Sequence, residues 1–170
     1  MHASTILAAR RLPGVWTIQP RCFADSAGGT MPKFVSRSQM MKYLGAAQRN
    51  VHWAWCAVND EEKKVYLCLW SDTRRDQPDG RVAYVVQEPN WGLDEEKGER
   101  SPARNDQDEQ LAKVFDEGYQ PLGYVVIAKD PEAAAREIGE TKTGFVFELD
   151  LEKEEDGTIL GYLGKRIELR

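Results

Sequence analysis

The chain has 170 residues, 41% of them hydrophobic and 30% charged, and carries a formal net charge of −5. That size and balance suit one domain with an ordinary core and a solvated surface, and the acidic excess excludes a protein whose whole surface clings to nucleic-acid phosphates, because such affinity needs many Lys and Arg contacts. No run approaches the roughly 18 apolar residues of a membrane-spanning helix, so no membrane association is expected; three cysteines without CxxC spacing exclude a disulfide framework and a closed zinc site, and as small buried thiols they suit a reducing, cytoplasmic setting.

Residues 1–32 differ from everything after them. Arg10, Arg11 and Arg21 stand against the single acidic Asp25, and Pro13, Gly14, Pro20, Gly28 and Gly29 break any regular element. The segment is expected to be a flexible leader, resembling a transit peptide in composition, or an extension translated from too early a start codon, since Met31-Pro32-Lys33 reads as a second beginning. One domain over 33–170 follows. Ser36 as an N-cap and an apolar stripe of Met40, Met41, Tyr43, Leu44 and Ala47 predict a short helix ending near Gly45.

The stretch His52–Ser71, HWAWCAVNDEEKKVYLCLWS, holds three of the five tryptophans. Its two alternating runs around Asn59–Lys64 predict a long β-hairpin. In the first, Trp53, Trp55 and Ala57 oppose His52, Ala54, Cys56 and Val58; in the second, Val65, Leu67 and Leu69 oppose Tyr66, Cys68 and Trp70. Asp72–Arg81 reads as a loop, Arg81–Gln87 as a third strand, and Leu93–Asp108 as a charged mobile loop before a helix marked by Leu111, Val114 and Phe115. Leu122–Ala128 has the apolar content of a central strand. Asp130-Pro131 and the run AAAREI predict a helix to Gly139. Thr143–Leu151, a turn at Asp156-Gly157, Thr158–Leu163 and Arg166–Leu169 complete the chain. Antiparallel hairpins dominate, so the expected class is α+β: a strongly bent, mostly antiparallel sheet or small β-barrel with two or three short helices.

Catalytic motifs are missing. His52 is the only histidine after His2, and no triad, HExxH, calcium-loop or phosphate-loop spacing accompanies it. No catalytic residue, metal ligand or cofactor is therefore assigned. The better lead is aromatic: Trp53, Trp55, Tyr66, Trp70, Tyr84 and Trp91 all fall between positions 53 and 91. Such rings either fill a core or line a hollow that stacks a planar group such as a nucleobase. In the second case the candidate ligand residues are Trp55, Trp70, Trp91, Tyr84 and His52, with Arg74, Arg75 and Arg81 nearby for phosphates.

The order of helix, W-x-W segment, VYLCLW strand, apolar-aromatic third strand, long loop and LGYVVIAKD strand resembles the curved β-barrel modules of the PUA, ASCH and EVE type, and the small modules attached to HNH-type restriction nucleases. The likeness covers Lys33 to Arg170. It implies a PUA-like barrel that reads modified DNA or RNA bases through aromatic residues, here Trp55 and Trp70, and a separate nuclease as partner; the chain itself carries no HNH or PD-(D/E)xK segment. The leading expectation is a non-enzymatic binding module for nucleic acid or a nucleotide-like planar ligand. The alternatives are a protein-interaction domain using the acidic loop or strand edges, and a small hydrolase or nuclease using His52 and a carboxylate.

Overall fold

The computed structural model describes residues 34, 36–94, 97–133 and 136–169, so the leader expected over 1–32 lies outside the described residues. Met31–Arg170 is one compact unit. Helix α1 (Arg37–Tyr43) begins where Ser36 Oγ accepts the Gln39 amide, and it buries Met40 and Met41.

Strands β1 (Ala57–Asn59) and β2 (Lys64–Trp70) form the first hairpin, with Ala57 opposite Tyr66. β1 is shorter than the alternation of His52–Val58 predicts. Val51–Trp53 is a turn, and the carbonyls of Val51, Ala54 and Trp55 are taken by the side chains of Arg37 and Tyr124. Those backbone groups find partners outside any strand ladder.

β2 is buried on both faces. Tyr66, Cys68 and Trp70 enter one core cluster with Met40, Tyr124 and Val126, while Val65, Leu67 and Leu69 enter another with Tyr84, Val86, Leu111 and Leu149. The predicted loop after Trp70 is instead a single 3-10 turn, Ser71–Thr73, followed by β3 (Arg74–Asp76), which pairs with β4 (Val82–Gln87). Gln77 and Arg81 close that hairpin with an amide-to-carbonyl bond of 2.8 Å.

The charged stretch predicted as a loop contains regular structure among its described residues. β5 (Leu93–Asp94) pairs with β6 (Glu99–Arg100), and helix α2 (Pro102–Glu117) starts well before Leu111. Ser101 Oγ caps it by accepting the Arg104 amide, and Pro102 sits in the first turn, where a missing N–H costs nothing. Gly118 ends α2 in the left-handed region at φ 72°. Arg104, Asp106, Gln107 and Gln110 are buried on α2, so the helix has no continuous apolar stripe to betray its first half.

β7 (Gln120–Ala128) runs parallel to β2 over seven pairs, from Lys64 beside Gln120 to Trp70 beside Val126. Its other edge pairs with β9 (Phe145–Lys153) and with β8 (Ile138–Thr141). β8 stands where the end of a third helix is predicted: Asp130 Oδ1 takes the Glu132 amide in a turn, and Ile138–Thr141 then extends to complete the β7 edge. Two α-helices are present among the described residues. β9 turns at Gly157 (φ 90°) into β10 (Ile159–Glu168), one strand with a bulge between Leu163 and Arg166 where two separate strands are predicted.

The order across the sheet is β1-β2-β7-β9-β10-β4-β3, with β8 beside β7. The sheet is mostly antiparallel and α+β in class. Four strand spacings would put β2 and β4 roughly 19 Å apart if the sheet were flat. Their side chains nevertheless share one cluster, so the sheet is strongly bent. Among the described residues no pairing joins its two ends into a closed barrel, and none of their helices is long and apolar enough to cross a membrane.

Candidate functional site: an indole-walled recess

Three indoles arrive at one place from three different elements. Trp55 lies on the irregular segment ahead of β1, where Tyr124 Oη donates to its carbonyl at 2.7 Å and the Ala54 amide bonds the Asn50 carbonyl at 2.9 Å. Trp70 is the last residue of β2, and Thr73 Oγ1 donates to its carbonyl at 2.9 Å. Trp91 sits on the turn after β4, its carbonyl held by Arg104 Nη1 at 2.8 Å. The Trp55 and Trp70 ring centres are 4.5 Å apart at 52°, and those of Trp55 and Trp91 are 6.0 Å apart at 79°. Together they wall a half-open cavity of about 90 Å³.

Polar groups punctuate this apolar lining. Gln107 reaches it from α2, and its Nε2 donates to the Val86 carbonyl at 2.8 Å. Gln87 reaches it from the end of β4; Nε2 donates to Asp108 at 2.9 Å, while its buried Oε1 has no partner. Arg136 stands at the side, its guanidinium 5.3 Å from the Trp70 ring centre and ion-paired with Asp72 at 2.8 Å. Cys68 forms part of the lining, and burial pushes its thiol up to about 12, so it stays protonated and is no nucleophile at neutral pH. The lining is thus aromatic on one side, with the Gln87 and Gln107 amides and the Arg136 guanidinium at its edge.

The other residues singled out from the sequence lie elsewhere. Tyr84 faces inward among Leu67, Val86 and Leu111 and fills the core. Arg74 pairs with Asp76, Arg75 with Glu154, and Arg81 with Asp79 and Glu152 while covering the Tyr162 ring. None of these three arginines lines the recess. His52 is exposed and lines a neighbouring cavity that holds no Ser, Thr or Cys in its wall.

Sequence reasoning missed Arg136, Gln87 and Gln107. Arg136 sits in a run that reads as a helix, and the two glutamines become part of the site only because β4 ends against α2. Behind the recess Asp106 is 1% exposed. Burial raises its pKa, opposed by the bond from Gln110 and by Arg49 at 3.5 Å. No group of three His, Cys, Asp or Glu side chains among the described residues is placed to hold a metal ion. No family model matches the chain, and no curated protein or solved structure matches it.

Proposed function

We propose that the chain is a non-enzymatic binding module that takes a nucleobase, on nucleic acid or a nucleotide, against the cavity-facing side of the Trp55, Trp70 and Trp91 cluster. The observation that carries this reading is the convergence of three indoles from separate elements on the wall of one cavity, where the core cluster that holds Trp70 reaches the surface. Stacking of a base on the cavity-facing side of an aromatic side chain contributes about 1–3 kcal/mol. Arg136 already places a cation, matched by Asp72, against Trp70, which disfavours a cationic ligand on that ring. The resemblance of the W-x-W, VYLCLW and LGYVVIAKD segments to PUA, ASCH and EVE modules points the same way: a modified DNA or RNA base as ligand, a small PUA-like barrel as scaffold and a separate nuclease as partner.

Titration with single-stranded oligonucleotides and with duplexes carrying modified bases, at low salt, tests the reading by tryptophan fluorescence. Quenching that weakens as salt rises is expected, and Trp91→Ala should weaken binding roughly 5- to 150-fold. Absence of both quenching and salt-dependent retention for every oligonucleotide would overturn it.

A further inference from the structure

A second cavity, of about 260 Å³, adjoins the indole recess, and Trp55 and Arg136 line both. Arg37, His52, Trp53 and Glu137 also line it. Arg37 is the residue whose chemistry is incomplete. Its Nη2 donates to the Val51 carbonyl at 2.7 Å, and its Nη1 reaches the Ala54 carbonyl at 3.3 Å and Tyr124 Oη at 3.5 Å. All three partners are neutral oxygens. Glu137, the one carboxylate in the wall, is occupied by Lys129 Nζ at 2.6 Å, and Arg136 is matched by Asp72. A half-buried guanidinium is thus oriented by neutral oxygens and has no carboxylate partner among the described residues, a state that an incoming anion relieves. Its planar fork suits phosphate oxygens, and the exposed imidazole of His52 and the indole N–H of Trp53 add further hydrogen-bonding groups.

We infer that this cavity is a phosphate subsite: it receives the phosphate joined to the base stacked on the indole cluster, so the site takes a nucleotide or a single strand in preference to a nucleoside. The inference rests on the base-binding reading above and specifies its ligand. A shared wall of one indole and one guanidinium puts base and phosphate on adjacent sides of Trp55, which a connected nucleotide can span. A base still stacked in a duplex cannot enter the recess without being flipped out.

The test uses the full chain with adenosine, guanosine, cytidine and uridine and their 3′- and 5′-monophosphates, followed by tryptophan fluorescence at low and physiological salt. At least one monophosphate is expected to bind about tenfold more tightly than its nucleoside. The gain should shrink as salt rises, and inorganic phosphate should compete with the monophosphate but not with the nucleoside. Arg37→Gln should remove the gain of monophosphate over nucleoside and lower the salt slope by about one. Because Arg37 also ties down Val51 and Ala54, the wild-type comparison decides alone if that variant fails to fold. Equal, salt-independent affinity for nucleoside and monophosphate would overturn the phosphate subsite while leaving the base recess standing. No quenching by any of the probes would overturn the phosphate subsite, and the same result with every oligonucleotide would overturn the base recess as well.

Discussion

Replacing Arg104 by methionine removes a guanidinium while keeping a long unbranched stem with similar helix propensity. In the folded chain Arg104 Nη1 donates to the carbonyls of Glu88 and Pro89 at 3.0 Å each and of Trp91 at 2.8 Å, and Nε donates to Asp108 at 2.9 and 3.1 Å. The side chain is 11% exposed, so these bonds form largely out of water. A hydrogen bond to a charged group contributes about 1.5–3 kcal/mol, but the three carbonyls share one nitrogen and do not add. Asp108 keeps Gln87 and Arg100 as partners after the change. The expected loss is therefore about 2–4 kcal/mol, read as a lower urea midpoint with an unchanged slope. Arg100→Met is the control: its ion pair with the same carboxylate lies on a side chain 58% exposed, and its loss should cost under about 1 kcal/mol. Since Arg104 also holds the turn bearing Trp91, its loss should weaken nucleotide binding beyond the effect of Arg100→Met. A destabilisation no larger than the control's would refute the claim that Arg104 anchors the turn.

Gly123→Ala tests the packing of β7, because an added methyl would sit 2.5 Å from Leu69 Cδ1 and 3.1 Å from Leu149 Cδ1; overpacking there should cost about 1–3 kcal/mol in urea denaturation. Asp106 is held above its ordinary carboxyl range by burial, so the folded chain binds its proton more tightly than the unfolded chain. Its stabilising contribution is then complete below the unfolded value and lost as pH rises through the folded value. Asp106→Asn should accordingly gain stability relative to wild type on going from acid to neutral pH, and a difference independent of pH would refute this. The buried Cys56 and Cys68 thiols, both pushed up by burial, should resist iodoacetamide in the native state and react on unfolding, as mass mapping of their peptides would show.

The parts of this molecule legible in the sequence are those in which neighbours along the chain remain neighbours in chemistry. The alternation Val65, Leu67, Leu69 against Tyr66, Cys68, Trp70 describes both faces of β2, and each face enters its own cluster. That β2 lies parallel to β7 cannot be read locally, because a parallel neighbour arrives by a long crossover and leaves no turn signature. The indoles were legible as a group, whereas their basic companion was not. Proximity in sequence favours Arg74, Arg75 and Arg81, but those three are consumed by Asp76, Glu154, Asp79 and Glu152. Arg136, far along the chain, reaches Trp70 because the segment leading into β8 passes that edge of the sheet.

The first half of α2 was illegible for a different reason, which also explains why the recess has polar walls. Between the partners Val85–Leu160 and Gln87–Ile159 the β4–β10 register shifts, leaving Val86 as the extra residue of a bulge. Just beyond, the chain leaves the ladder at Glu88 and Pro89. Carbonyls freed in this way and drawn beneath a helix need donors. Arg104 and Gln107, one helical turn apart on α2, supply them: Gln107 takes Val86, and Arg104 takes Glu88, Pro89 and Trp91. A helix face devoted to capping a broken strand cannot also be apolar, so hydrophobic periodicity vanishes where α2 is most buried. The same capping fixes the turn that carries Trp91 and presents Gln107 to the cavity. The recess is thus a consequence of how β4 ends, and changes to the polar face of α2 should disturb the indole wall before they disturb the apolar cluster around Leu67.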